Sequence, residues 1–296
     1  MAKMQKSENQ ASSKDVCSIV IPIFNRERTV ERTILSCLTQ EHAAIELILV
    51  DDGSTDQSVE ICKKFLKMKH RPGTVVRFVS QPNQGACAAR NLGMSLATGN
   101  YLLFLDSDDT IPAEKISTQI AALNHKNADC CISDYRVIDE HAGSCELFRN
   151  ELKPHQFISR LKSPSNSAII MRRETIPKGM QWNVSLKRMQ DFDFMLRYLA
   201  TVKTWVYVPK ALYNYHLHNG PRISDGYLNG MPYFAIFLSM HNHLKIHSVG
   251  LYVYIKLLSL LGLNLMKASF KDSASKILPI SLKRALKLVL ARSSVS

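Results

Sequence analysis

Tyr101-Leu102-Leu103-Phe104-Leu105 runs straight into Asp106-Ser107-Asp108-Asp109, and no other stretch restricts the fold as tightly. Five apolar residues, with Gly99-Asn100 before and Thr110-Ile111-Pro112 after, describe a central strand covered on both faces. Its carboxyl end then carries three carboxylates within four residues. Open α/β sheets bind ligands in the crevice outside the carboxyl ends of their strands, which is where these acids fall. Crowded acids repel one another unless a cation compensates, and Asp-x-Asp supplies hard oxygen ligands suited to Mg²⁺ or Mn²⁺. The expected third party is a metal-bound phosphate. The competing reading is an Asp-rich turn opening the next helix, with Pro112 in its first turn.

The residues before this stretch alternate between strand and helix patterns. Ser18 to Phe24 is a β-branched, apolar first strand whose Pro22 sits near the carboxyl end, where a missing N–H is tolerable as the ladder ends. A helix is expected over 27–40 with Val30, Ile34, Leu35 and Leu38 on its inner stripe. Glu46 to Val50 is the second strand, followed by Asp51-Asp52-Gly53-Ser54. Ser54 with Gln57 matches a capping box opening a helix through about Met68, with Val59, Cys62, Phe65 and Leu66 inward. Val75 to Val79 is a third strand ending at Gln81-Pro82-Asn83, and Gln84 to Ala97 a helix entered at Gly85 and carrying Arg90 and Asn91. Strands alternating with helices of this length mean right-handed βαβ units and a parallel sheet.

Beyond the acids, the pattern gives a helix over 112–127, a strand over 129–137, an irregular segment over 140–165, and short strands at 168–171 and 206–208. Between the last two lies Met189-Gln190-Asp191-Phe192-Asp193-Phe194, opening an amphipathic helix with Asp191 in its first turn.

The chain has 296 residues, 46% of them hydrophobic, enough to bury a full core. Its seven cysteines contain no CxxC pair and read as reduced thiols of a cytosolic protein. Residues 1–15 read as a polar, disordered tail with no apolar core of a leader. Net charge is +13, and residues 231–296 carry nine Lys/Arg against the single acid Asp272. That basic end implies an anionic partner. A nucleic acid is not expected, because the charge lies on apolar helical segments rather than in an aromatic-interleaved groove.

Taken together, Val20-Ile21-Pro22-Ile23-Phe24-Asn25, Val50-Asp51-Asp52-Gly53-Ser54, Asn83-Gln84-Gly85 through Ala89-Arg90-Asn91-x-Gly93, Asp106-Ser107-Asp108-Asp109, Gln190-Asp191 and Tyr215-His216-Leu217-His218 resemble the family 2 glycosyltransferases. The resemblance implies a GT-A fold: an α/β architecture with a mixed, mainly parallel sheet flanked by helices. It covers about residues 16–225 and sets a catalytic domain at 16–228, followed by a basic, amphipathic helical region at 229–296.

By that resemblance Pro22, Phe24, Asn25, Asp52, Asn83, Arg90, Asp106 and Ser107 contact the nucleotide. Asp52 accepts from the base, Asp106 reaches the ribose or the metal, and Asp108 is the direct ligand of Mn²⁺ or Mg²⁺. His218 completes the metal shell, and Asp191 is the base that inversion requires on the face of the sugar opposite the leaving group. The family commonly has Glu-Asp where this chain has Gln190-Asp191, and often Arg where it has His216. The implied activity is transfer of one sugar from a nucleotide-diphosphate donor, UDP-linked, to a glycan or lipid-linked glycan. A binding or scaffold subunit without turnover is the alternative.

Residues 249–266 are apolar with Lys256 near the middle, which argues against a membrane span. Residues 277–292 alternate apolar and cationic positions at helical spacing. Two readings fit them: a helix on the cytoplasmic surface of an anionic membrane, or a helical hairpin closing the catalytic domain.

Overall fold

The computed structural model describes residues 15–42, 44–153, 156, 163–186 and 189–217. The basic region 229–296 and His218 lie outside the described residues, as does nearly all of the tail 1–15. The chain divides into two compact units, the first drawn from Met1–Glu151, Pro164–Trp182 and Val202–Asn219, the second from Leu152–Ser163, Asn183–Thr201 and Gly220–Ser296.

The first unit is an α/β sandwich. Strands β1 (Cys17–Ile23), β2 (Ile45–Asp51), β3 (Thr74–Ser80) and β4 (Tyr101–Phe104) alternate with helices α1 (Val30–Leu38), α2 (Ser58–Lys67) and α3 (Ala86–Leu96), as the sequence pattern predicts. After α4 (Lys115–Lys126) come β5 (Cys130–Asp139), β6 (Ser144–Phe148), β7 (Ile169–Arg172) and β8 (Trp205–Leu217). Among the described residues the sheet runs β3-β2-β1-β4-β7-β5-β6, with β8 paired to β5. Pairs among β1 to β4 are parallel, β7 runs antiparallel to both β4 and β5, and β8 runs parallel to β5, so the sheet is mixed.

β4 is central and fully buried, which accounts for its unbroken apolar run. β1 and β2 are buried throughout, whereas edge strand β3 alternates and leaves Val75 51% exposed. The register sets Ile23 beside Asp51 and Val20 beside Phe104, so the loops after β1, β2 and β4 emerge side by side. β4 stops opposite Val20, and Pro22 therefore lies beyond its ladder.

Several local expectations are corrected. The inner face of α1 is Val30, Thr33, Ile34 and Cys37, with Leu35 45% exposed, and that of α2 is Ser58, Ile61, Cys62 and Phe65, with Leu66 outward. The Ser54 capping box does not form: α2 begins at Ser58, and Ser54 Oγ instead accepts from Asn25 N at 3.0 Å. The segment expected to be irregular contains β6, an exposed strand paired with β5. The short strand expected at 206–208 extends to Leu217. It does so by bulging twice, once between Val208 and Ala211, where Pro209 and Lys210 fall out of register.

Six cysteines are buried and Cys145 is exposed. Burial pushes the Cys17, Cys62 and Cys131 thiols up to about 12, which makes them inert at neutral pH. In the second unit, α5 (Gln190–Leu199) buries Phe194, Met195, Leu196 and Tyr198. Among the described residues no helix is long and apolar enough to cross a membrane.

Candidate functional site

Three loops at the carboxyl ends of β1, β2 and β4 build the site. After β1 the chain turns at Asn25, whose φ of 51° is left-handed. Asn Oδ1 there accepts from Thr55 N at 2.9 Å and its N donates to Ser54 Oγ, so the β1 and β2 loops brace each other. Phe24, beside it, is 43% exposed.

After β2, Asp51 accepts from Ser54 N and from Ser80 Oγ at 3.1 and 2.7 Å. Asp52 is buried and accepts from Gln81 Nε2 at 2.7 Å, Gln84 N at 2.9 Å and Gly85 N at 2.8 Å. Its carboxylate thus fastens the entrance to α3, a partnership the sequence does not announce. Gly53, at φ 77°, passes so close to the Asn83 backbone that a Cβ would lie 2.9 Å from Asn83 N. Glycine is required there on both counts.

After β4, the acids separate by environment. Asp106 pairs with Arg90, Nη2 to Oδ1 at 2.7 Å, with Asn166 Nδ2 3.5 Å from the same oxygen. Arg90 is buried on α3, and its guanidinium stacks 4.5 Å over the Trp182 ring. Trp182 in turn meets Phe104 edge-on at 5.0 Å and exchanges two hydrogen bonds with Asn91. Ser107 is buried, and its carbonyl accepts from Thr29 Oγ1 at 3.0 Å. Asp108 is partly open, its side chain 17% exposed against 27% for Asp106, and it lies 3.3 Å from Arg26 Nε.

Asp109 is fully buried. Burial, reinforced by the negative charges of Asp108 and Asp106, pushes its carboxyl well above the usual range, although it accepts from the Tyr213 hydroxyl and from His216 N. That upward shift eases the crowding that three charged acids would suffer. The bulges in β8 are what bring Tyr213 and His216 to this point.

His216 Nε2 lies 2.9 Å from Thr110 Oγ1 and Nδ1 2.9 Å from Glu140 Oε1. Burial, helped by the Arg32 guanidinium, holds its pKa below the usual histidine value against the pull of Glu140. Arg32 bridges Glu140 at 2.5 Å and the Asp108 carbonyl at 2.9 Å. Arg26, Arg32, Glu140, Trp182 and Tyr213 were not singled out by the motif; only Trp182, one of two tryptophans in the chain, carries any compositional flag.

The loop thus unites Asp106, Ser107 and Asp108 with Arg90, and sets Asn25 and Asp52 in the adjoining loops. Asp191 belongs to the second unit, in the first turn of α5 and partly exposed. Its neighbour Gln190 donates to Leu186 O at 2.9 Å, and Asp193 forms a buried pair with Arg197 at 2.6 Å one helical turn on.

Among the described residues no three His, Cys, Asp or Glu side chains converge as a metal cage. The acid loop nevertheless fits a cation whose shell is shared, since Mg²⁺ is commonly held by one or two carboxylates with the remainder from phosphate and water. Asp108, partly open and hard, and Asp106 beside it would supply those carboxylates.

A family model described as glycosyl transferase family 2 matches residues 18–180. An uncharacterized glycosyltransferase of Haemophilus influenzae is 34% identical over 188 residues, covering 63% of this chain and 72% of that protein. Glycosyltransferase GlyA of Streptococcus pneumoniae is 36% identical over 129 residues, 44% of this chain, and the match spans only 18% of GlyA. The structure of S. aureus TarS 1-349 in complex with UDP-GlcNAc, 20% identical, superposes with a TM-score of 0.67 over 93% of this chain and 79% of TarS, a likeness of fold.

Proposed function

Because the chain belongs to glycosyl transferase family 2, we propose that it moves a single sugar, with inversion, from a UDP-linked donor to a hydroxyl of a glycan or lipid-linked glycan in surface polysaccharide synthesis. The observation that carries this reading is the acid loop after β4, flanked by the loops after β1 and β2, with Arg90 on Asp106 and Arg26 on Asp108. The UDP-GlcNAc complex of the similarly folded TarS supports the donor class.

In this mechanism Asp106 and Asp108 would hold Mn²⁺ or Mg²⁺, which when bound would supply Lewis-acid stabilisation of charge on the leaving diphosphate. Phe24, at the mouth of the β1 loop, and Asn83 border the nucleotide, while Asn25 and Asp52 keep their loops in place for it. Arg90, desolvated and stacked on Trp182, fixes the orientation of Asp106. Asp191 is the proposed base, accepting the proton of the acceptor hydroxyl as it attacks the anomeric carbon. Gln190 before it adds no second negative charge.

A thermal-shift screen against UDP, GDP, CDP and dTDP, each with Mn²⁺, Mg²⁺ or EDTA, tests the reading. A ligand at a hundredfold excess over its dissociation constant stabilises the folded state by about 2.7 kcal/mol. A metal-dependent rise with UDP is the expected result. No rise with any diphosphate removes the donor assignment, and binding without turnover favours a scaffold subunit.

A further inference from the structure

We propose that Arg26 is the diphosphate-binding cation of this chain, held on the Asp108 carboxylate until a divalent cation takes that carboxylate. The inference rests on the nucleotide-sugar reading above and adds to it a residue that the motif does not mark.

Arg26 follows the left-handed Asn25 at the end of β1, and its backbone is anchored by an N–H to Ser58 Oγ of 2.7 Å at the start of α2. Its guanidinium is placed at the rim of the crevice, 32% exposed, with Nε 3.3 Å from Asp108 Oδ2. The other contacts of that guanidinium are weak ones, from Nη1 to the carbonyls of Phe24 and Asn25 at 3.4 and 3.2 Å. The anchor is rigid and the charged end is not deeply held.

Among the described residues, the other basic side chains in contact with the acid loop are committed elsewhere. Arg90 is buried between Asp106 and the Trp182 ring. Arg32 spans the Asp108 carbonyl and Glu140. His216, at the position where the resemblance leads one to expect an arginine, has both ring nitrogens engaged, by Thr110 and by Glu140. Turning any of these to a diphosphate would break a partnership that the nucleotide does not replace.

Arg26 differs because its acid partner is the proposed metal ligand. A guanidinium and a divalent cation on one carboxylate repel each other strongly, so occupation of Asp108 releases the Arg26 side chain. A released guanidinium needs an anion, and the diphosphate offers pairs of oxygens that the planar guanidinium fork can grip at two points. The two cations and two anions exchange partners, and charge at the rim is balanced before and after.

The test uses the full chain with Mn²⁺ alone, followed by free Mn²⁺ paramagnetic resonance, then UDP titrated at saturating Mn²⁺. Wild type, Arg26→Ala, Arg26→Lys and Asp108→Asn are compared, with circular dichroism confirming that each is folded. Arg26→Ala should bind Mn²⁺ alone about two- to fivefold more tightly, the size of a partly exposed ion pair. The same variant should bind UDP with saturating Mn²⁺ at least about tenfold more weakly, the size of a lost hydrogen bond to a charged group. Arg26→Lys should fall between on both measures. Unchanged Mn²⁺ and UDP affinities in Arg26→Ala, with Mn²⁺ lost in Asp108→Asn, overturn the role of Arg26 and leave the donor reading standing. Failure of the wild type to bind either Mn²⁺ or UDP overturns both.

Discussion

The Arg90 guanidinium lies 2.7 Å from the Asp106 carboxylate, and the arginine is the more deeply buried of the two, 6% exposed against 27%. Arg90→Met keeps the bulk over Trp182 but leaves Asp106 facing Asp108 without its cation. The variant should lose about 1–3 kcal/mol of stability, less than a fully buried pair because Asp106 still reaches water. Urea denaturation measures it, and a wild-type midpoint would show that Asp106 is compensated by something else.

Tyr213→Phe removes a donor to the fully buried Asp109. Asp109 has a raised folded pKa, so the native state binds its proton more tightly than the unfolded chain does, and stability falls as pH rises through that pKa. The tyrosine hydroxyl opposes the shift, so its loss should cost about 1–3 kcal/mol and cost more at pH 9 than at pH 5. Equal losses at the two pH values would mean that Asp109 does not ionise between them.

Lys115 is wholly buried, its Nζ 2.6 Å from Gln119 Oε1, and burial pushes its pKa down to about 7 from 10.5. Between those values the unfolded chain holds a proton that the native state lacks. Native stability should therefore rise with pH across that window, by at most about 1.4 kcal/mol per pH unit, and the contribution is lost as pH falls through 7. Lys115→Met should flatten this slope when urea midpoints are compared from pH 7 to pH 9.5. A slope that survives the substitution excludes Lys115 as its source.

A methyl added at Gly93 would lie 2.3 Å from Val20 Cγ1, where α3 rests on the core strand β1. A branched side chain in a packed sheet has little room to yield, so Gly93→Ala should destabilise by about 1–3 kcal/mol. Thermal melting reads the effect directly.

Two substitutions separate the proposed chemical roles. Asp108→Asn should abolish metal-dependent turnover of a nucleotide sugar, whereas Asp191→Asn should reduce turnover by at least about a hundredfold while UDP binding is retained. Loss of UDP binding in Asp191→Asn would instead withdraw its assignment as base.

The sequence discloses most where one physical demand dominates. An unbroken apolar run bounded by Gly99-Asn100 and the aspartates can hardly be other than a central strand, and β4 is one. Asn25, Asp52, Arg90 and Asp106 to Asp108 are likewise found on adjoining loops or on the helix beside them. What escaped notice had competing signals. β6 exposes every residue, so it has no apolar period to detect. β8 holds Pro209 and Lys210 in its middle, which read as a break until a bulge is allowed for them. Ser54 had two candidate partners, and the nearby Asn25 N–H prevailed over the helix start. The burial of the Lys115 and Arg90 side chains leaves no trace in hydropathy at all, because what makes it tolerable is a partner distant in sequence or across a helical turn.

The bond between Tyr213 and Asp109 joins positions 104 apart. On a ribosome adding about 5–20 residues per second, roughly 5–20 s pass between the emergence of the acid and that of its partner. Through that interval Asp109 is an ordinary, hydrated carboxylate, and the loop it belongs to carries its full negative charge. Closure of so long a loop is slow compared with the pairing of β1 with β2 and of β2 with β3, whose partners lie 28 and 29 residues apart. The acid pocket is therefore among the last parts of the sheet to mature, and a chain halted before β8 would possess the aspartates without the environment that tells them apart.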